Sequence, residues 1–134
     1  MANIKIFNPA GLAKPPATYT QIAHAKTQEV VFIAGQVPTD ASGDLVGKGN
    51  FEAQCAQVFA NIHTALRAVG ADWANVVQFT SFLVRAEDAA AFRTYRSREF
   101  PKLFPGGAPP NTLLIINRLA DPDYLLEIQT IAAL

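Results

Sequence analysis

An apolar stripe between residues 50 and 70 predicts the first helix of this chain and fixes the order of the elements around it. Apolar side chains recur there at steps of three and four residues, as on one face of an α-helix: Cys55, Val58, Phe59, Ile62, Leu66 and Val69. Asn50 is a candidate N-cap, with Glu52 in the first turn. Gly70 follows where a helix C-terminus favours a left-handed residue.

Apolar segments on both sides of this helix predict six strands and a second helix. The expected strands cover residues 3–7, 19–25, 30–35, 76–84, 112–117 and 124–132, and the second helix runs from 87 to about 100. Residues 19–25 and 30–35 are expected to form a hairpin through the polar turn 26–29, and the continuously apolar segment 30–34 predicts a strand buried on both faces.

This order predicts an α+β fold, because β-α-β crossovers with hairpins at both ends place two helices on one face of a mixed six-stranded sheet. The other sheet face is also apolar and then has to be covered. At 134 residues, the chain is expected to form a single domain that spans residues 1–134. Only 16% of its residues are charged, and such a balance favours the association of subunits.

Charge and cysteine content exclude several classes of function. Eleven basic and eleven acidic side chains cancel, so no net field attracts nucleic acid or a membrane. The single Cys55 excludes an internal disulfide and a cysteine metal cluster, and His24 and His63 do not form a zinc motif. No segment is long and apolar enough for a signal peptide or a membrane span, so a cytoplasmic location is expected.

Glu127 is the residue that most needs an explanation. It follows Leu125 and Leu126 and precedes Ile128 in a segment that otherwise reads as a buried strand. A buried carboxylate costs several kcal/mol unless it is paired. Two interpretations are open: Glu127 is a catalytic acid or base, or it is a structural carboxylate held by backbone amides.

Five stretches of the chain resemble motifs of the reactive-intermediate-deaminase family (Rid, also called YjgF), in the same order and spacing. These are Ala17–Ala23 (family Gly-Pro-Tyr-Ser-Gln-Ala), Val31–Pro38 (Phe/Ile-x-Ser-Gly-Gln-Ile-Pro), Glu52–Ile62 (Glu-Ala-Gln to Asn-Ile), Ala74–Val77 (Asp-Val-Val/Ile-Lys), and Pro109–Thr112 with Glu127 (Pro-Ala-Arg-Ser/Thr and Glu-Ile). The resemblance implies the Rid fold, a relative of the chorismate-mutase-like fold, assembled as a homotrimer with clefts between subunits. It also implies hydrolysis of an imine or enamine to a ketone and ammonia, without metal or cofactor.

The resemblance assigns site residues position by position. Glu127 matches the family Glu that positions the attacking water, Tyr19 matches the cleft tyrosine, and Gly35 matches the glycine that contacts substrate through its backbone. Two positions depart: Ala34 replaces a Ser/Thr hydroxyl, and Asn111 replaces the Arg that grips the substrate's carboxylate. Loss of such a charge pair costs roughly 2–5 kcal/mol. Efficient turnover of the usual 2-imino acids is therefore not expected.

Another basic residue could supply the missing charge. Arg118 lies seven residues after Asn111, roughly 20 Å along an extended strand, which is too far within one subunit. Arginines of the second helix or Lys102 could reach a cleft from a neighbouring subunit; the alternative is that these residues form a solvated helix face. The arginines are Arg93, Arg96 and Arg98.

Three functions are compatible with these observations. The first is a divergent hydrolase that deaminates an enamine, an imine or a related small metabolite in an intersubunit cleft, using Glu127. The second is a non-catalytic module that binds a small ligand or another protein. The third is a ribonuclease or translation inhibitor, which the zero net charge and the lack of a basic, aromatic groove disfavour.

Overall fold

Two helices and six strands make up the computed structural model, which describes residues 2–134. In chain order they are β1 (Asn3–Phe7), β2 (Ile22–Lys26), β3 (Val30–Gln36), α1 (Phe51–Ala68), β4 (Val76–Leu83), α2 (Asp88–Leu103), β5 (Asn111–Ile115) and β6 (Leu126–Ala133), with a short 3-10 turn at Trp73–Asn75. The predicted α+β order of strands and helices is confirmed.

The strands are hydrogen-bonded in two groups. A mixed sheet has the order β3-β6-β4-β5, in which β5 runs parallel to β4 and the other neighbours are antiparallel. β1 and β2 form a separate antiparallel ribbon, so the predicted hairpin between the second and third strands is wrong. The turn between them is bound to the chain end instead: the Thr27 hydroxyl donates to the carbonyls of Glu29 and Leu134, and the Leu134 N–H donates to Glu29 at 3.0 Å.

Helix α1 begins where the sequence predicts. The Asn50 side chain accepts a hydrogen bond from the Ala53 N–H at 3.0 Å, and the apolar stripe is buried from Cys55 to Leu66. Val69, the last residue of the predicted stripe, is the C-cap and is exposed. The stripe therefore ends with the helix, one turn earlier than the periodicity suggests.

Aromatic side chains join both helices to one face of the mixed sheet. The Phe59 ring of α1 stacks on Tyr95 of α2 at 5.7 Å and meets Phe100 edge-on at 5.5 Å. It also meets Phe79 of β4 edge-on at 6.0 Å. Such pairs add to the hydrophobic stabilisation because ring edges and faces attract each other. Both helices therefore cover the same sheet face, as predicted.

The opposite face of the mixed sheet is open to solvent in the protomer. Phe32 and Val30 of β3 are 73% and 51% exposed, whereas Ile33 between them is buried against the helices. The prediction that segment 30–34 is buried on both faces is therefore wrong for one protomer, because no layer formed by residues 2–134 covers the second face. Leu114 of β5 is also exposed on this side.

We predict that Thr130→Val stabilises the protein. Thr130 is fully buried in β6, and its hydroxyl is the one buried side-chain polar atom without a hydrogen bond among residues 2–134. Valine keeps the shape and removes the desolvated hydroxyl, so the free energy of unfolding should rise by about 1 kcal/mol. Urea unfolding measures this change. Thr112→Val, on exposed β5, is the matched control and should have no effect; a destabilised Thr130→Val variant would contradict the prediction.

Candidate functional site

Glu127 lies on the open face of the sheet, directly over Gly35. In β6 it alternates with Leu126 and Ile128, which are fully buried on the helix side, and it pairs with Phe82 of β4. A Cβ added to Gly35 would overlap the Glu127 Oε1 atom and lie 2.7 Å from Cδ and 2.8 Å from Cγ. Only glycine at residue 35 leaves room for this half-buried carboxylate.

A bulge in β3 creates this close approach. The regular pairing of β3 with β6 is interrupted between Ile33, opposite Thr130, and Gln36, opposite Ile128. Ala34 and Gly35 together therefore face a single residue of β6, which is the geometry of a β-bulge. The Gln36 side chain donates to the Ala34 carbonyl at 3.1 Å. The bulge takes Ala34 and Gly35 out of the regular ladder and places the Gly35 backbone beside the Glu127 carboxylate.

The buried amide of Gln54 in α1 positions the start of β6. Its Nε2 donates to the carbonyls of Gly47 at 3.1 Å and Asp123 at 3.0 Å, and its Oε1 accepts from the Leu125 N–H at 2.8 Å. Leu125 precedes Glu127 by two residues. The Glu-Ala-Gln motif in the sequence marks this residue, but its role as a clamp required the structure.

A second amide on α1 holds the segment that leaves β3. Asn61 Nδ2 donates to the carbonyls of Val37 at 3.0 Å and Thr39 at 2.8 Å. Gln57 donates to Thr39 as well, at 3.2 Å, and to Asn61 at 2.9 Å. One helix therefore fixes both strands that meet at Gly35 and Glu127.

Asn111 lies on the other side of the sheet. It is the first residue of β5, opposite Phe79, and its Oδ1 accepts a hydrogen bond from the Ser81 hydroxyl at 2.7 Å. Ser81 and Phe79 are buried beneath the helices. The Asn111 side chain is therefore turned toward the helix side, whereas Glu127 is on the open side.

Tyr19 lies in a loop that is hydrogen-bonded to the segment before Asn111. It is half-buried in the loop between β1 and β2, and the hydroxyl of the adjacent Thr20 donates at 2.9 Å to the carbonyl of Ala108, three residues before Asn111. The five predicted site residues thus form two groups, one of which consists of Glu127, the Gly35 backbone beside it and the adjacent bulge residue Ala34. No hydrogen bond within residues 2–134 links one group to the other.

The basic residues that could supply the charge missing at Asn111 differ in their contacts. Arg118 donates to the carbonyls of Leu119 and Ala120 in its own loop, at 3.0 and 2.9 Å. Arg98 pairs with Glu52 and Glu99, and Lys102 pairs with Glu99 at 3.0 Å, on the solvent side of α2.

Arg96 is the exception on α2, because it is only 6% exposed. The interpretation of this helix face as solvated is therefore wrong for Arg96. It occurs four residues after Phe92 and four before Phe100, which are both buried. This i, i+4 spacing is the sequence signal that could have identified it as an inward residue.

Cys55 is fully buried in the helix core, and burial raises the pKa of its thiol far above the ordinary value. This environment agrees with a packing role, since a nucleophilic cysteine needs a lowered pKa.

Among residues 2–134, no three His, Cys, Asp or Glu side chains form a metal-binding group. Neither helix is long and apolar enough to cross a bilayer, as judged from residues 2–134.

A mixed sheet with two helices on one face defines an α+β fold. Residues 12–134 match the family model described as Endoribonuclease L-PSP. A RutC family protein of Synechocystis sp. is 33% identical over 132 residues, covering 98% of this chain and 97% of that protein. The 2-iminobutanoate/2-iminopropanoate deaminase of Capra hircus is 35% identical over 98 residues, 72% of this chain and 71% of that enzyme.

A solved structure supports the same relationship. The crystal structure of YyfB from Yersinia pestis, described as a protein of unknown function of the conserved Rid protein family, matches with a TM-score of 0.86 and 31% identity, covering 98% of this chain and 99% of that one. The chain therefore belongs to the Rid/YjgF family.

We predict that Gly35→Ala displaces the Glu127 side chain. The added methyl would overlap the carboxylate, and such overpacking should lower the free energy of unfolding by about 1–3 kcal/mol. The same substitution in a Glu127→Ala background should cost less, with a coupling of about 0.5 kcal/mol or more. Urea unfolding of the four proteins measures the cycle. Gly106→Ala is the control, because nothing lies within 4 Å of its added Cβ; equal costs in both backgrounds would contradict the overlap.

Proposed function

We propose that this protein hydrolyses an imine, an enamine or a related small metabolite, with Glu127 as general acid and base. The observation that carries the proposal is the half-buried Glu127 carboxylate beside the bulge at Gly35. Among residues 2–134 it has no ion-pair partner, so both oxygens are free to contact water or substrate. The deaminase name of the Capra hircus relative supports the same class of reaction.

The reaction needs one proton acceptor that later becomes a donor. Glu127 takes a proton from water as the water oxygen bonds to the carbon of a protonated C=N group, and the π electrons of C=N move to nitrogen, which becomes a neutral amine. The protonated Glu127 then returns its proton to the amine nitrogen of the tetrahedral intermediate. The C–N bond breaks, ammonia leaves, and the hydroxyl loses its proton to the Glu127 carboxylate to become the carbonyl. An enamine enters the same sequence after protonation of its carbon.

The substrate preference is expected to differ from that of relatives with an arginine at the position of Asn111. The Asn111 amide is uncharged, and its oxygen already accepts from Ser81. An amide offers neither the charge nor the bidentate fork of a guanidinium. We therefore propose a substrate other than the usual 2-imino acid held by an arginine at residue 111.

We further propose that the open sheet face joins copies of the chain in a homotrimer, with the ligand cleft between subunits. Phe32 and Val30 are exposed there together with Leu114. Contiguous apolar surface of this kind marks an association site. Association would also bring the group at Glu127 close to the group at Tyr19 and Asn111 of another copy.

Glu127→Gln should abolish the reaction while leaving the fold intact. The test follows ammonia release from freshly generated 2-imino acids and from enamine substrates, with wild type, Glu127→Gln and Asn111→Arg side by side. Loss of the acid-base group should reduce the rate by about 10²–10⁴-fold. Asn111→Arg should gain activity toward 2-imino acids. Substrate turnover that is unchanged in Glu127→Gln would reject Glu127 as the catalytic residue.

Phe32→Glu should dissociate the proposed homotrimer. A carboxylate at this 73% exposed position costs nothing in the free protomer but would have to be desolvated in an interface. Sedimentation velocity measures the mass of each protein. Leu12→Glu is the control, because Leu12 is an exposed apolar residue of a loop outside the sheet and should leave the trimer unchanged. A monomeric wild type, or a trimeric Phe32→Glu variant, would contradict this assembly.

A further inference from the structure

Arg96 is a buried cation without a counter-ion. It is 6% exposed, and no carboxylate within residues 2–134 forms an ion pair with it. The one buried acid among residues 2–134, Asp88, is bound bidentately by Arg85 at 2.8 and 2.9 Å. Buried charges in proteins are otherwise paired, because desolvation of an isolated ion is costly.

The hydrogen-bonding capacity of this guanidinium is almost unused. Its Nε donates weakly to the Phe92 carbonyl at 3.4 Å, and its Cζ lies 4.2 Å over the centre of the Phe92 ring. Stacking covers one flat face and leaves the edge with the terminal N–H groups unengaged. These nitrogens retain access to solvent, since the one sealed and unbonded polar side-chain atom among residues 2–134 is the Thr130 hydroxyl oxygen.

The surroundings of Arg96 do not neutralise it. The pKa of Arg96 is lowered to about 10, first by burial and then by Arg93, whereas Cys55 and Tyr19 act in the opposite direction. Arg96 is therefore still protonated at neutral pH. Cys55 is uncharged there, since burial raises the pKa of its thiol.

We propose that Arg96 forms a binding site for a small carboxylate. The free edge of a guanidinium matches a carboxylate with two parallel hydrogen bonds. The buried positive charge of Arg96 balances a monoanion, whereas a phosphate dianion would need a second buried cation, and the neighbouring Arg93 is exposed. The site lies on the helix side of the sheet, as Asn111 does, and so is distinct from the Glu127 carboxylate within one protomer. It goes beyond the proposed hydrolysis, because binding needs no turnover.

Binding of acetate and pyruvate tests this site, with acetamide as the uncharged match and sodium chloride at equal ionic strength as the salt control. We expect both carboxylates to raise the melting temperature of the wild type and pyruvate to give a measurable affinity by calorimetry. Arg96→Gln should weaken that affinity by roughly thirtyfold or more. Arg96→Lys should also bind less well, because it keeps the charge without the fork. Arg93→Gln, an exposed neighbour on the same helix, should bind as the wild type does.

Two further variants separate carboxylate binding at Arg96 from catalysis at Glu127 and from the stability of the fold. Glu127→Gln should retain pyruvate binding, so a failure of the proposed hydrolysis would leave this result standing. Arg96→Met should fold with an unchanged or higher melting temperature, because it removes an unpaired buried charge. The proposal is overturned if the wild type binds neither carboxylate, or if Arg96→Gln binds pyruvate as tightly as the wild type. It is also overturned if Arg96→Gln only dissociates an oligomer, since a second copy would then supply the carboxylate.

Discussion

The hydrogen bonds of the buried Gln54 amide are the constraint on which the arrangement of this site depends. Both of its donors and its acceptor are engaged, to the carbonyls of Gly47 and Asp123 and the N–H of Leu125. A slip of β6 by one residue would break the Leu125 contact and turn Glu127 into the core. A neutral, fully satisfied amide fixes the register at a low electrostatic cost, whereas an apolar side chain would only fill the space.

One face of the sheet packs against the helices to form the core, and the other carries the carboxylate of the proposed reaction. On one face, Phe59 joins both helices to β4 through ring contacts of 5.5 to 6.0 Å. That face holds the core, and its packing does not require the other side to be covered. The open face can therefore carry a carboxylate over a glycine and exposed apolar residues without loss of the core. The bulge at Ala34 and Gly35 stands at the point where β3 leaves the regular ladder.

Much of the fold was predictable because it follows from local patterns. The stripe in α1, the Asn50 cap and the six apolar strands depend on residues close together in sequence. The partner of β2 was not predictable, because β2 pairs with β1 across the long loop that carries Tyr19, while the turn after β2 is bound to Leu134, 107 residues from Thr27. In the sequence Glu127 stands out as a carboxylate in an apolar segment, whereas in the structure its position is an ordinary one. Leu126 and Ile128 face the core and Glu127 faces outward, so the carboxylate follows the ordinary alternation of a strand.

The residue types of the candidate site were predictable from the sequence, but the sheet face on which each residue lies was not. Which face Asn111 occupies depends on the register of β5 against β4, which no local pattern encodes. The depth of Arg96 depends in turn on how α2 lies over that sheet. Asn111 carries no positive charge, but Arg96 of α2 carries one on the same side of the sheet. Because Glu127 lies on the opposite side, a ligand that touched both Arg96 and Glu127 would have to lie between two copies of the chain.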